Sequence, residues 1–196
     1  MYFIQTIHSM NFLKIVQIII LMILSISCED PYRTKKMDFG LFTLETPYKW
    51  QQVKKNGIDS YVGAIAVDKS DTLYFDLGMY SNNLTEPNIE IITRQMMEES
   101  ATDSMKDIIV KDILLDFDLD ADRFRKQNVS WDTIDNRRAK IVFPRISGNG
   151  LTGIYIDSLW QRGSSKTRFN LTGANLKVQN EKDLLNAVRT LRFYKK

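Results

Sequence analysis

Histidine and cysteine are almost absent from this chain, and each absence excludes a class of chemistry. His8 and Cys28 are the only residues of their types among the 196. Histidine is the usual general base near neutral pH and the commonest metal ligand. The sequence after His8 therefore cannot hold a Ser-His-Asp triad, a Cys-His pair or a zinc site built on Cys and His. A disulfide within the chain is excluded as well, and we expect no catalytic residue, no cofactor and no metal ligand set.

The chain also lacks a basic block. Its formal net charge is +3, and paired cations such as Lys35-Lys36 and Arg137-Arg138 are scattered along the sequence. Nucleic-acid-binding chains concentrate their cations in one run or on one face. We therefore expect no nucleic-acid partner.

What the chain does contain is an apolar run that ends at its single cysteine. Residues 15–26 are apolar except at Gln17 and Ser25, Lys14 precedes them, and the run closes as Leu24-Ser25-Ile26-Ser27-Cys28. A basic residue, an apolar core of roughly 7 to 15 residues and small residues at the cut site make up a signal peptide. The arrangement resembles a bacterial lipoprotein signal, in the looser form found in Bacteroidota. The resemblance implies cleavage after Ser27 and fatty-acid attachment, such as palmitate, at Cys28.

Two alternatives to the lipoprotein signal stay open. The apolar run could be an uncleaved signal anchor, although it is shorter than the roughly 20 apolar residues of a membrane-spanning helix. It could also be an ordinary cleaved secretory signal. Met10 offers a second possible start, because Met10-Asn11-Phe12-Leu13-Lys14 opens a compact signal.

These features divide the chain into three parts. We expect residues 1–27 to be the signal peptide, residues 28–38 a polar lipidated tether, and residues 39–196 a single globular domain. The expected location is the cell envelope, with the domain outside the cytoplasm and the lipid in a membrane, most simply the outer membrane.

Several stretches of strand length alternate polar and apolar residues or run apolar. The predicted strands are Phe39–Leu44, Tyr61–Val67, Thr72–Tyr80, Ile108–Leu115, Arg138–Pro144, Gly153–Trp160 and Thr167–Ala174. The polar residues Asp68 to Asp71 predict a hairpin turn between the second and the third. Apolar residues at helical spacing predict helices at 87–101 and 180–191, the second capped by Asn180. The pattern favours an α+β fold, an antiparallel β-sheet flanked by a few helices.

The two ends of the predicted domain resemble those of PsbP and Mog1-like domains. The opening stretch from Phe39 runs as a strand into Thr46-Pro47 and reaches Trp50, and the close is a helix that leads into a short strand, Leu191-Arg192-Phe193-Tyr194. The resemblance implies an α/β/α sandwich, and members of that superfamily serve as binding and assembly factors. It assigns no partner-contacting residue here.

Two motifs invite ligand-binding interpretations. Gly148-Asn149-Gly150-Leu151-Thr152-Gly153 matches G-x-G-x-x-G, but a dinucleotide site needs a helix to follow, and the next residues are strand-like. We therefore predict a hairpin turn at Asn149-Gly150. Four aspartates alternate with apolar residues at Asp116, Asp118, Asp120 and Asp122. An EF-hand calcium loop needs a glycine at its sixth position and a glutamate at its twelfth, and no alignment of this segment supplies both. We interpret them as the solvent face of a strand or loop, with a calcium site of another kind left open.

Carboxylates and aromatic residues supply the remaining candidates. Asp76 and Asp157 each lie in a largely apolar stretch, and a pair of carboxylates can hydrolyse glycosidic bonds. Hydrogen-bonded structural roles are the simpler interpretation of both. The aromatic residues could line a groove for a sugar or peptide, or belong to the core. They are Tyr48, Trp50, Tyr74, Tyr80, Trp131, Tyr155 and Trp160.

The sequence favours a membrane-anchored envelope lipoprotein whose domain is a non-catalytic binding or assembly module. Its expected partners are the lipid membrane, reached through acylated Cys28, and an envelope protein or ligand. The alternative is a carboxylate-dependent hydrolase acting on glycans outside the cytoplasm.

Overall fold

The computed structural model describes residues 33–86, 90–100, 108–111 and 123–194. From Thr34 onward these residues belong to one compact unit. The predicted signal peptide, Cys28 and the four aspartates at positions 116–122 lie outside the described residues. No helix in the described part of the chain is both long and apolar enough to cross a membrane.

Strands dominate the described residues, and helices are few. The strands are β1 (Thr34–Asp38), β2 (Phe42–Pro47), β3 (Gln51–Lys54), β4 (Tyr61–Ala66), β5 (Thr72–Gly78), β6 (Glu90–Thr93), β7 (Ile108–Lys111), β8 (Gln127–Ile134), β9 (Arg137–Pro144), β10 (Leu151–Arg162), β11 (Ser165–Ala174) and β12 (Arg192–Phe193). The helices are α1 (Arg94–Ser100) and α2 (Val178–Ala187), and a 3₁₀ turn, Val188–Thr190, continues α2.

Seven strands form one large antiparallel sheet in the order β3-β4-β5-β11-β10-β9-β8. A small sheet in the order β1-β2-β12 is also antiparallel, whereas β6 and β7 pair in parallel. The predicted α+β class, built on an antiparallel sheet, is confirmed.

One face of the large sheet, called the inner face here, carries the apolar side chains. On β5 the buried residues Leu73, Phe75 and Leu77 point inward, as the alternation predicts, while Tyr74 between them is exposed. The predicted β4–β5 hairpin is confirmed: the backbone N–H of Val67 donates to the Asp71 carbonyl at 3.0 Å, which closes its turn.

The core lies between the inner face of the large sheet and a layer made of the small sheet and α2. Phe42 of β2, fully buried, links the two sheets: its ring centroid is 5.1 Å from that of Phe75 and 4.9 Å from that of Phe169, both edge-on. Edge-on contacts suit the charge distribution of aromatic rings, and burying a phenylalanine side chain stabilises by about 1.5–3 kcal/mol. From the C-terminal side, Leu184 and Leu191 complete the same core.

Helix α2 is tied to the β4–β5 turn by a polar cluster. Asn180 is 2% exposed, and its Nδ2 donates to Asp68 Oδ2 at 2.8 Å and to Asp71 Oδ2 at 2.7 Å. The backbone N–H of Lys177 donates to Asp71 Oδ2 at 2.8 Å. Backbone N–H groups of Ser70 and Asp71, with the Asn180 and Lys177 side chains, hold the pKa of Asp68 well below its usual range. The cluster fixes the start of α2 against the sheet.

Several local predictions were wrong. Residues 28–38 were expected to be a tether, but Thr34–Asp38 form β1, because they pair in register with Thr43–Pro47 of β2. The helix predicted at 87–101 begins only at Arg94, since Glu90–Thr93 pair with β7. Asn180 is not the N-cap of α2; Lys177 holds that position without a side-chain cap. Strands β3 and β8 were missed.

Candidate functional site

The outer face of the large sheet, opposite the core, carries the two carboxylates that the sequence singled out. Cross-strand pairing places Asp76 beside Asn170, Asn170 beside Tyr155, and Tyr155 beside Lys140. Asp157 follows two residues after Tyr155 on β10 and therefore shares this face. The outer face is polar in its middle, whereas the inner face is apolar.

Residues 81–86, called the strap here, cross the outer face after β5. The Lys140 Nζ donates to the carbonyls of Asn83 and Leu84 at 3.2 and 3.3 Å, and Asn170 Nδ2 donates to the carbonyl of Asn82 at 3.1 Å. Leu84 is buried against the outer face in a small cluster with Tyr155. Burial under the strap lowers the pKa of the Lys140 ammonium. The strap therefore closes the central part of this face.

The structure does not bring Asp76 and Asp157 together as a catalytic pair. Two strand spacings and two residues of rise separate their Cα atoms by about 12 Å, and Asn170 lies between. A glycoside hydrolase needs its carboxyl groups about 5 to 9.5 Å apart across a substrate. The strap covers the centre of this face, and neither carboxylate lines one of the two clefts identified in the described residues.

The contacts of Asp157 keep its carboxylate ionised. Lys166 Nζ donates to Oδ2 at 3.0 Å, and the Tyr155 hydroxyl and Arg168 Nε donate to Oδ1 at 2.9 and 3.3 Å. The hydrogen bond from Lys166 has the largest effect on the pKa of Asp157, and together with that from Tyr155 it lowers this pKa although partial burial opposes it. The pKa of Tyr155 is raised to about 12 by burial and by the nearby Asp157 carboxylate. A general acid needs a raised carboxyl pKa, so these contacts do not suit Asp157 to that role. The Asp76 Oδ1 atom is buried without a hydrogen-bond partner in the described part of the chain.

The candidate aromatic residues do not share one surface. Trp50 is fully buried in the core, Trp160 packs against the core from its edge, and Tyr155 is buried under the strap. Trp131 on β8 is 56% exposed, and the Arg138 guanidinium lies 4.1 Å from its ring centroid in a cation–π contact. The other three, Tyr48, Tyr74 and Tyr80, are exposed. Of the two possibilities left open, the core thus holds for some of these residues, and none of the seven lines either of the two clefts identified in the described residues.

The G-x-G-x-x-G segment lies in the connection between β9 and β10, as predicted, but its turn is centred on Ser147-Gly148 and not on Asn149-Gly150. The Asn149 N–H donates to the Ile146 carbonyl at 3.0 Å, Gly148 and Gly150 adopt positive φ angles of 84° and 140°, and β10 follows instead of a helix. The third glycine, Gly153, has a packing role, because a Cβ there would overlap the Leu171 carbonyl oxygen on β11.

A cationic site that sequence reasoning missed lies where the C-terminal segment returns beside β2. Two adjoining clefts, of about 250 and 380 Å³, share the side chains of Arg189 and Arg192. The first cleft is lined in addition by Lys36 and Glu45, and the second by Asp135. We call the pair of clefts the arginine cleft. Its residues are far apart in sequence, and the only sequence signal was two arginines flanking the buried Leu191.

Backbone pairing and local hydrogen bonds position the arginine cleft. Arg192 of β12 lies opposite Thr43 of β2, and the backbone N–H of Glu45 donates to Thr190 Oγ1 at 2.8 Å. Asp135 Oδ2 accepts from Arg137 Nη1 at 2.6 Å and from the Phe193 N–H at 3.0 Å. The 3₁₀ turn and β12 are thereby held between β2 and the β8–β9 turn.

Neither the known protein families nor the curated proteins contain a match to this chain. In the described residues, no three His, Cys, Asp or Glu side chains are grouped as metal ligands.

Proposed function

We propose that this chain is a lipid-anchored binding or assembly module of the bacterial cell envelope, most simply of its outer membrane, with no catalysis in its globular domain. Attachment rests on Cys28, which directly follows the apolar run and is the only thiol. Two or more acyl chains hold a protein stably to a bilayer, whereas one gives only marginal binding.

The single observation that carries the non-catalytic part is the state of Asp157. Its carboxylate is engaged by Lys166, Arg168 and Tyr155, and its Cα atom lies about 12 Å from that of Asp76. Neither carboxylate lines one of the two principal clefts found in the described residues. A carboxylate-dependent glycan hydrolase would need two such groups facing each other across a substrate cleft, so it receives no support from this geometry.

We also propose that the domain is PsbP/Mog1-like, an α/β/α sandwich. Its support is the opening order of β2, Pro47 and the buried Trp50, together with the closing order of α2 and β12. Binding and assembly roles in that superfamily agree with the function proposed, although fold alone does not carry function across.

Anchoring is tested by Cys28→Ala in cells fed a labelled fatty acid. We expect the variant to lose the label and to move to the soluble fraction. Ser27→Ala is the matched control, because it keeps a small residue at the cut site and leaves the thiol in place. Membrane association that survives the loss of Cys28 would contradict the lipoprotein proposal.

The non-catalytic part has its own test. Purified protein incubated with envelope glycans should release no reducing ends above the level of an Asp76→Asn/Asp157→Asn variant. Release by the native protein that the double variant abolishes would establish the hydrolase instead. Affinity capture of the lipidated protein, followed by identification of co-purifying envelope proteins, then searches for the partner.

A further inference from the structure

Among the described residues, the arginine cleft is lined by more cationic than acidic side chains. Arg189 and Arg192 line both of its parts, and Lys36 lines the first. Glu45 lines the first part and Asp135 the second, so the cations exceed the acids. Asp135 is moreover already paired, because Arg137, outside the cleft, binds its carboxylate at 2.6 Å.

Within the part of the chain that the structure describes, the cationic side chains of the cleft also keep hydrogen-bond donors without an acceptor. Arginine has five N–H donors. Arg192 gives one to the Leu191 carbonyl at 2.9 Å, and Arg189 gives one to the Leu185 carbonyl at 2.6 Å. Arg189 has one loose ion pair, with its Nε 3.7 Å from Asp132 Oδ2, whereas no carboxylate of the described residues lies within 4.0 Å of Arg192 or Lys36.

The backbone around these donors is fixed, so they stand ready for a ligand. Leu191, between the two arginines, is fully buried in the core, and Thr190 Oγ1 both accepts from the Glu45 N–H and donates to the Ala187 carbonyl at 2.7 Å. A site whose frame is already ordered pays less conformational entropy on binding than a mobile one.

We infer that the arginine cleft binds a small anion that carries two phosphate or carboxylate groups. The planar guanidinium fork matches the two oxygens of a carboxylate or phosphate, and such charge-assisted bonds are the stronger kind. We infer two anionic groups in the ligand because the cleft has two parts, and both parts are lined by Arg189 and Arg192. The inference does not depend on the lipid anchor, and it adds a ligand class to the binding function proposed above.

Inorganic pyrophosphate and inorganic phosphate are the probes for this site. Calorimetric titration of the intact protein in neutral detergent at pH 7 and low salt should give a pyrophosphate affinity at least ten-fold above that of phosphate. Arg189→Gln/Arg192→Gln should weaken pyrophosphate binding at least ten-fold. Arg145→Gln/Arg162→Gln, which removes the same charge from exposed arginines outside the cleft, should leave it within two-fold of the native value. Circular dichroism checks that each variant is folded.

Lys36→Gln provides a second route into the same site, because it lies on β1 and leaves the C-terminal segment untouched. It should weaken pyrophosphate binding several-fold even if the double arginine variant does not fold. No heat of binding at millimolar pyrophosphate, or equal losses in the cleft variants and the control, would overturn the inference.

A phosphate in the cleft could come from a soluble ligand or from a lipid headgroup. Titrations in phosphatidylglycerol and phosphatidylcholine vesicles separate these sources. If lipid phosphates fill the cleft, the native protein should bind pyrophosphate more weakly in phosphatidylglycerol vesicles than in phosphatidylcholine vesicles. The weaker pyrophosphate binding that remains in Lys36→Gln should be the same in both vesicle types. If the ligand is soluble, native protein in the two vesicle types binds within two-fold.

Discussion

At the scale of single residues, Asn180 shows how a side chain in a helix can serve a distant turn. Its amide donates to two carboxylates that would otherwise face each other across the turn, Asp68 and Asp71. Burial opposes the ionisation of Asp71, but the bonds from Asn180, the Lys177 N–H and Ser70 outweigh it and keep its pKa below the usual value. The contact therefore favours the ionised form of both carboxylates.

Asn180→Ala should therefore lower the free energy of unfolding by about 2–3 kcal/mol, because it removes the buried donor that the two carboxylates share. Asn186→Ala, at an exposed position of the same helix, should change it by less than about 0.5 kcal/mol. Urea unfolding at pH 7 measures both. Equal effects of the two changes would show that helix propensity, and not the cluster, is responsible.

The same cluster predicts how stability depends on pH. The folded-state pKa values of Asp68 and Asp71 are lowered relative to an unfolded aspartate at about 3.9. Their contribution is therefore fully present above about pH 4 and is lost as the pH falls through the folded-state values. Urea midpoints between pH 7 and pH 2.5 should fall more steeply for the native protein than for Asn180→Ala.

The sequence identified Asn180 but assigned it the wrong role. Its place before an apolar stripe is typical of a helix cap. Its role is set by contact with the β4–β5 turn, which lies more than a hundred residues earlier in the chain. The residues around Asn180 in the sequence cannot indicate such a contact. Cys28 is the opposite case, because its interpretation depends only on neighbouring residues in the sequence and stays a prediction.

At the scale of elements, β10 and β11 show what the glycine motif does. Gly153 lies where these strands pair, and a side chain there would overlap the Leu171 carbonyl oxygen and also approach Thr172. Gly153→Ala should cost about 1–3 kcal/mol by overpacking. Gly163→Ala, in the open β10–β11 turn at φ 61°, should cost about 1 kcal/mol from backbone strain alone. Thermal unfolding compares the two, and an equal or smaller effect at Gly153 would contradict the packing role.

Strands with a strong apolar alternation were the easiest elements to predict. The β4–β5 hairpin has strong alternation and a polar turn, and both survive in the structure. The helix predicted across 87–101 failed at its start because pairing with β7 overrides the helical spacing of the apolar residues. Strand β8 was missed since five of its eight residues are exposed and give no apolar pattern.

At the scale of the whole molecule, one core joins the two sheets and α2. Phe42 and Phe193 of the small sheet contact Phe169 of the large sheet, with ring centroids 4.9 and 5.1 Å apart. Layers that share one core should unfold together, so far-UV and near-UV circular dichroism should give coincident urea transitions. An earlier near-UV transition would show that the small sheet and α2 detach first.

The α+β class could be predicted because the alternation of apolar residues is a local property. The arginine cleft could not, because Lys36 and Arg192 meet only after β12 pairs with β2. The lack of histidine limited the possible chemistry but could not show which surface binds a ligand.

The three tryptophans occupy environments of graded exposure, which gives the protein built-in optical reporters. Trp50 is fully shielded from water, Trp160 is partly shielded, and Trp131 stands in solvent with a guanidinium against its ring. Emission on the blue side of the spectrum should therefore come chiefly from Trp50 and report on the core. A soluble quencher such as iodide should reach Trp131 first and report on the edge of the large sheet.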